Sequence, residues 1–136
     1  MSAERPRDGF DLSPRTGPYL DLIGPVFTRT DGGSTVVGLR VDDKHLNARG
    51  RVHGAVLCGL ADIALGRNVA AAAGSAELPV TVSLQVQFVT AAEAGDWLES
   101  SAVVRRVGRR VAFVDGAVHA GDRLVATATA VFAMTG

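Results

Sequence analysis

The sequence is poor in cysteine, in aromatic residues and in net charge. A single cysteine, Cys58, excludes an internal disulfide. The 14 basic and 14 acidic residues cancel, so no bulk positive field favours nucleic acid or an anionic membrane surface. The N-terminus also lacks the basic-then-apolar run of a secretory signal. We therefore expect a cytoplasmic protein with no nucleic-acid partner and no membrane partner.

Motifs for metals and cofactors are missing as well. The three histidines, His45, His53 and His119, lack the spacing of metal ligands. The sequence contains neither a phosphate loop nor the glycine pattern of a dinucleotide site. We expect no bound metal and no cofactor.

One long apolar run, Gly54 to Gly74, has the length of a membrane span, but Asp62, Arg67 and Asn68 interrupt it. Its alanines and leucines favour a helix over 54–73 that other structure encloses. A chain of 136 residues has the size of one domain. Residues 1–16 mix charge, proline and glycine without periodicity, which predicts a flexible segment before a single domain at 17–136.

Strand patterns lie on both sides of the predicted helix. The predicted strands are 22–30, 34–41, 79–90, 97–107, 110–120 and 123–134, after a short helical turn at 17–21. This order predicts an α+β fold in which one antiparallel sheet curls around a single long helix. Because a monomer leaves the sheet edges unpaired, we also expect association.

Asp62 is a carboxylate among the apolar residues of the predicted helix. A carboxylate in such a setting is a common general base or nucleophile, and the alternative is a solvated stripe shared with Arg67. His53 and Gly54 stand at the helix entry, where free backbone N–H groups and the helix dipole attract negative charge. The Gly54 N–H is a candidate oxyanion donor, although a glycine here also suits the turn alone.

Helix geometry separates these two candidates. Eight residues at about 1.5 Å each put Gly54 and Asp62 roughly 12 Å apart along the helix axis. One subunit cannot easily bring both to the same carbonyl group. If both act, a second copy of the chain must supply one of them.

Two further polar residues are weaker candidates. Asn47, in the loop before the helix, offers an amide to a carbonyl group or an attacking water, or it serves turn formation alone. Ser83, on the strand after the helix, is either an exposed strand serine or a residue that orients Asp62.

Arginines surround the turn of a predicted hairpin. Guanidinium groups bind phosphate through a fork of donors, so the cluster suits phosphate binding, and solubilising an edge hairpin is the alternative. The cluster consists of Arg105, Arg106, Arg109 and Arg110.

Three stretches of the sequence carry a family resemblance. They are Asn47-Ala48-Arg49-Gly50-Arg51-Val52-His53-Gly54-Ala55, Leu60-Ala61-Asp62 and Val82-Ser83-Leu84. Together with the strand order, they closely resemble the hotdog-fold acyl-CoA thioesterases of the PaaI-like group. The nine-residue step from His53 to Asp62 is similar to that family's spacing.

The resemblance implies a site shared between two subunits of a homodimer, with a dimer of dimers as the expected assembly. It implies that Gly54 provides the oxyanion N–H and that Asn47 helps to place the thioester or a water. Asp62 of the facing subunit would act as base or nucleophile, and Ser83 matches a strand position that assists the acid.

The resemblance also implies how the substrate is held. His53 would contribute to substrate binding, and the hairpin arginines match a region that often meets the phosphates of coenzyme A. Coenzyme A is then part of the substrate, and no separate cofactor is expected. Ala55 stands where many members have a second glycine, which bears on the size of the acyl group.

Two other functions stay open at this point. A non-catalytic acyl-CoA binding module would be favoured by loss of the acid, but Asp62 is present. A hotdog dehydratase or hydratase acts on the carbon chain and pairs a histidine with an acid at a spacing that does not follow His53 here. Thioester hydrolysis is therefore our main hypothesis.

Overall fold

A computed structural model describes residues 5–14 and 17–135 of the chain. Its helices are α1, Pro18–Ile23, and α2, Gly54–Ala73, with a 3₁₀ turn at Asp43–His45. The strands are β1 Asp11–Leu12, β2 Phe27–Asp31, β3 Ser34–Arg40, β4 Val80–Phe88, β5 Trp97–Val107, β6 Val111–Ala120 and β7 Arg123–Ala133.

These strands form one antiparallel sheet in the order β1-β2-β3-β5-β6-β7-β4. The meander predicted for the C-terminal half is present as β5, β6 and β7. β4, which follows α2, lies at one edge and pairs only with β7 among the described strands. α2 packs against five of the strands, β3 to β7, so the predicted curled sheet around one long helix is confirmed.

α2 has the bounds that the sequence predicted. The His53 side chain caps its N-terminus, and Gly74 ends it in the left-handed region with a φ of 65°. By length and composition α2 could cross a membrane, but 56% of its most apolar window is buried inside the fold. Asn68 is buried, and two hydrogen bonds with the backbone of Thr35 on β3 satisfy its side-chain amide.

Part of the expected N-terminal flexible segment is packed. β1 pairs with β2, and the Phe10 ring meets the Trp97 ring edge-on, with 5.1 Å between the ring centroids. Phe10, Phe27, Val36 and Trp97 form a separate hydrophobic cluster on the face of the sheet opposite α2. Single aromatic contacts of this kind leave no periodic signal. Residues 1–4 and 15–16 of that segment lie outside the described residues.

The predicted strand 22–30 is wrong in its first half. α1 continues to Ile23, two residues beyond the predicted turn, and β2 begins only at Phe27. Pro25 lies between them and has no N–H to donate to a strand ladder. The sheet therefore begins after the proline.

Candidate active site

Asp62 lies in the middle of α2, on the face that points away from the centre of the sheet. Its carboxylate accepts a 2.6 Å hydrogen bond from the Thr81 hydroxyl at the start of β4. The side chain is partly buried and lines a cavity of about 400 Å³. The carboxylate is thus held in one position and still open to a ligand.

A bulge in β4 brings Thr81 to this position. Leu84 and Val86 pack towards α2, so strict alternation would turn both Ser83 and Thr81 away from it. The register shifts between Thr81 and Ser83, and the extra residue, Val82, reverses the alternation. Thr81 therefore faces Asp62.

The structure places Ser83 away from the acid. Ser83 is exposed, and it lies opposite Val131 of β7 on the outer face of the sheet. The residue that orients Asp62 in this chain is Thr81, which the sequence argument missed because it relied on unbroken alternation.

The Gly54 N–H is available at the N-terminus of α2. The next two N–H groups are satisfied, since Ala55 donates to His53 Nδ1 at 3.0 Å and Val56 donates to the His53 carbonyl at 2.9 Å. Within residues 5–14 and 17–135, the Gly54 N–H has no hydrogen-bond acceptor. It carries the positive end of the helix dipole and is free to bind an oxygen atom.

Asn47 lies beside this helix entry with a fixed amide. Its Oδ1 accepts the N–H groups of Arg49 at 2.9 Å and Arg51 at 3.2 Å, so it does shape the turn. The Nδ2 group is left as a donor. Asn47 and Gly54 line the same groove, together with Phe88 at the end of β4.

His53 is exposed and caps α2. Because its Nδ1 accepts the Ala55 N–H, the neutral ring carries its proton on Nε2. That Nε2–H is a donor available to a bound molecule, and the contribution of His53 to substrate binding stays a prediction.

Asp62 and Gly54 line separate pockets of one chain. The cavity beside Asp62 and the groove beside Gly54 have no lining residue in common. Thr81 near one end of β4 holds the acid, and Phe88 at the other end packs on Gly54, where an added Cβ would lie 3.1 Å from the Phe88 Cζ.

The predicted arginine hairpin is present as the turn between β5 and β6. All four arginines are exposed, and Arg105 donates a 2.6 Å hydrogen bond to Asp115. Val111 at the start of β6 lies opposite Ala133 of β7. Ala133 in turn lies opposite Val80 of β4, so the hairpin is at the same end of the sheet as the acid.

Other reactive groups do not complete a second site. Burial raises the pKa of the Cys58 thiol, so it stays protonated at neutral pH and is a poor nucleophile. In the part of the chain that the structure describes, no three acidic, histidine or cysteine side chains gather as metal ligands would.

Known proteins share this sequence pattern. Residues 49–131 match the thioesterase superfamily. Over 126 residues the chain is 44% identical to "Putative esterase PA0474" of Pseudomonas aeruginosa, which covers 92% of this chain and 94% of that protein.

The fold is also found in solved structures. A mutant of the phenylacetic acid degradation protein PaaI from Thermus thermophilus is 28% identical with a TM-score of 0.75, covering 88% of this chain and 100% of that one. A hypothetical thioesterase protein from Streptococcus pneumoniae, solved with coenzyme A, is 25% identical with a TM-score of 0.74. It covers 82% of this chain and 89% of its own.

Proposed function

The chain belongs to the thioesterase superfamily, and from this premise we propose that it hydrolyses acyl-coenzyme A to a free acid and coenzyme A. The observation that carries the proposal is the arrangement along β4. Thr81 near one end holds the Asp62 carboxylate, and Phe88 at the other end packs on Gly54. The complete site is formed by two subunits.

Antiparallel pairing of the β4 strands of two subunits would bring the Thr81 end of one strand next to the Phe88 end of the other. Thr81 and Phe88 lie at similar distances from the midpoint between Leu84 and Gln85. A two-fold axis through that midpoint sets Thr81 opposite Phe88 of the partner subunit, one strand spacing of about 4.8 Å away. Asp62 then faces Gly54 of the partner subunit. Parallel pairing would instead bring like ends together and leave both sites incomplete.

The edge of β4 is suited to such pairing. The Val80 and Val82 side chains on this strand are 57% and 63% exposed. A long apolar edge strand is a template for another strand, and natural proteins usually cover it or protect it with charge. β4 contains no charged residue, which supports a homodimer.

The chemistry follows from the two groups. The Gly54 N–H binds the thioester carbonyl oxygen and stabilises the negative charge that develops there, while Asn47 Nδ2 holds the carbonyl or the water. Asp62 either takes a proton from a water that attacks the carbonyl carbon, or attacks it directly to form an anhydride that water then hydrolyses. In both routes the carbon–sulfur bond breaks and coenzyme A leaves as a thiolate, which is then protonated.

Coenzyme A as leaving group is supported by the hairpin arginines and by the Streptococcus pneumoniae relative solved with coenzyme A. Two strand spacings, about 10 Å, separate the hairpin from the start of β4. Arg106, Arg109 and Arg110 are exposed there and can bind phosphate oxygens through their forked donors. Arg105 is already bonded to Asp115 and contributes less.

The proposal also covers how dimers associate, where the enzyme acts and whether it needs a cofactor. Val103 and Phe113, on the sheet face opposite α2, are 54% and 43% exposed. An apolar surface there supports packing of two dimers into a dimer of dimers. The reaction uses water and the residues above, so the enzyme acts without a cofactor, and we place it in the cytoplasm.

Hydrolysis is tested with purified protein, a thiol-detecting reagent and a panel of aliphatic, benzoyl and phenylacetyl coenzyme A esters. Asp62→Asn keeps the size of the side chain and removes its basicity. We expect turnover by the wild type and a loss of about a hundredfold or more in the variant, with unchanged circular dichroism. Normal turnover by the folded variant would overturn the role of Asp62.

The shared site is tested by a charge on the β4 edge. Val82→Lys should prevent edge-to-edge pairing, giving a folded monomer in sedimentation equilibrium and a parallel loss of turnover. A fully active monomer would contradict the proposal.

A non-catalytic binding module is the alternative function. Tight binding of the panel by calorimetry, with turnover of none of its members, would favour that alternative.

A further inference from the structure

The cavity beside Asp62 is lined by residues of α1, which have no part in the proposed chemistry. It lies between α1, α2 and the start of β4 and has a volume of about 400 Å³. Apart from Asp62 and Arg67, its described lining residues carry no charge. In the proposed reaction the carbonyl carbon of the thioester lies close to Asp62. The acyl group attached to that carbon therefore has room in this cavity.

Two glycines of α2 allow aromatic rings to pack closely against the helix at the cavity. Gly66 lines the cavity, and Gly59 lies beside Tyr19, which also lines it. Gly59, Asp62, Ile63 and Gly66 follow the helix repeat and lie on one stripe of α2. Gly within a helix is less stable than Ala by about 1 kcal/mol, so a packing reason is expected. A Cβ at Gly66 would lie 3.3 Å from Cε1 of Phe132. A Cβ at Gly59 would lie 3.0 Å from the Tyr19 hydroxyl.

Gly59 therefore lets the Tyr19 ring lie against α2 one turn before the acid. Tyr19 as a whole is 52% exposed. Tyr19 and its neighbour Leu20 form the wall of the cavity that faces α2 from α1.

α1 is held at its C-terminal end, away from this wall. None of its residues is buried. The His45 ring, 1% exposed, donates from Nε2 to the Ile23 carbonyl at 2.6 Å and accepts the Asp42 N–H on Nδ1 at 2.9 Å. These bonds fix the helix to the loop that leads to Gly54 and leave the Tyr19 side chain facing the cavity and α2.

We propose that this cavity receives the acyl group and that Tyr19 sets the length of chain it accepts. The inference rests on the proposed thioesterase function. Ligand sites span about 300–1,000 Å³, so a cavity near the lower end fits a compact acyl group. Short and medium acyl chains are substrates, and palmitoyl is excluded.

The test measures kcat/KM for acetyl, butyryl, hexanoyl, octanoyl, decanoyl and palmitoyl coenzyme A. Tyr19→Ala removes the wall, and we expect the ratio of decanoyl to hexanoyl turnover to rise about tenfold. Tyr19→Phe keeps the ring and should keep the wild-type optimum. Leu22→Ala, on the same helix but 72% exposed and away from the cavity, is the matched control.

A second variant narrows the cavity without touching α1. Leu78, 47% exposed before β4, also lines it, and Leu78→Trp should shift the optimum towards shorter chains. Inhibition by free coenzyme A should be the same in all variants, since that arm of the substrate lies elsewhere.

The outcomes separate this inference from the proposed function. If the wild type hydrolyses none of the esters, the proposed function fails. If it hydrolyses them but Tyr19→Ala and Leu78→Trp leave the chain-length order unchanged, or lower all rates equally, Tyr19 is only structural and this inference is overturned. A wild-type preference for palmitoyl would also overturn it.

Discussion

The Thr81 hydroxyl donates a 2.6 Å hydrogen bond to the Asp62 carboxylate. This bond joins the central helix to the edge strand that we propose as the dimer interface. Through it, the position of the acid depends on the strand that would bring a second subunit close. In the proposed dimer, pairing of β4 would bring Gly54 of the partner subunit towards an acid that Thr81 already holds in place.

The first prediction concerns this hydroxyl. Thr81→Val keeps the shape of the side chain and removes the donor, so kcat should fall about tenfold, the usual effect of losing a hydrogen bond to a charged group. Thr81→Ser should restore most of the rate. Ser83→Ala, on the opposite face of the strand, should stay within about twofold of the wild type. A larger effect at Ser83 than at Thr81 would contradict the assignment.

The difference between Ser83 and Thr81 shows the limit of the sequence argument at the site. The resemblance to hotdog thioesterases, the helix bounds and the curled sheet were predicted correctly, since caps, composition and alternation are local signals. A bulge is not visible in alternation, because one extra residue changes which side chains face the helix without changing the residue types. The roles of Asp62, Gly54 and Asn47 stay predictions.

The N-terminal part of the chain shows the same limit for the fold. Phe10 is buried against Trp97, which lies far away in the sequence, and this contact has no local pattern. The start of α1 was indicated by Pro18. Its last residue, Ile23, accepts a hydrogen bond from His45, a contact that also has no local pattern.

The second prediction isolates the Gly54 N–H. Proline suits the first position of a helix and has no N–H, and His53 before it already has an extended backbone, with φ −65° and ψ 136°. Gly54→Pro should therefore fold and lower kcat by about a hundredfold to a thousandfold, as expected for loss of an oxyanion donor.

Gly54→Ala is the matched control for this change. It places a Cβ against the Phe88 ring, as proline does, but keeps the N–H. Phe88 is 58% exposed in the single chain, and both variants place the same Cβ beside its ring. If alanine and proline lower kcat equally, the effect is steric and the oxyanion role is wrong.

The third prediction concerns the hairpin arginines. Arg109→Ala and Arg110→Ala should each raise KM for acyl-coenzyme A about threefold to tenfold, because exposed charge-assisted bonds to phosphate are lost. KM for the same acyl group on N-acetylcysteamine, which has no phosphate, should not change. Arg105→Ala should have a smaller effect, since Arg105 is bonded to Asp115. Equal changes for both leaving groups would show that the arginines do not bind phosphate.

The last prediction tests whether one site draws on two chains. A heterodimer of one Asp62→Ala chain and one Gly54→Pro chain is purified through two different affinity tags. One of its sites combines the intact Asp62 and the intact Gly54, and the other has neither. If sites are shared, each homodimer is inactive and the heterodimer recovers about half the wild-type rate per dimer. A heterodimer of two Asp62→Ala chains with the same tags is the control. An inactive mixed dimer would mean that the acid and the oxyanion donor act from the same chain, which their separation along α2 makes difficult.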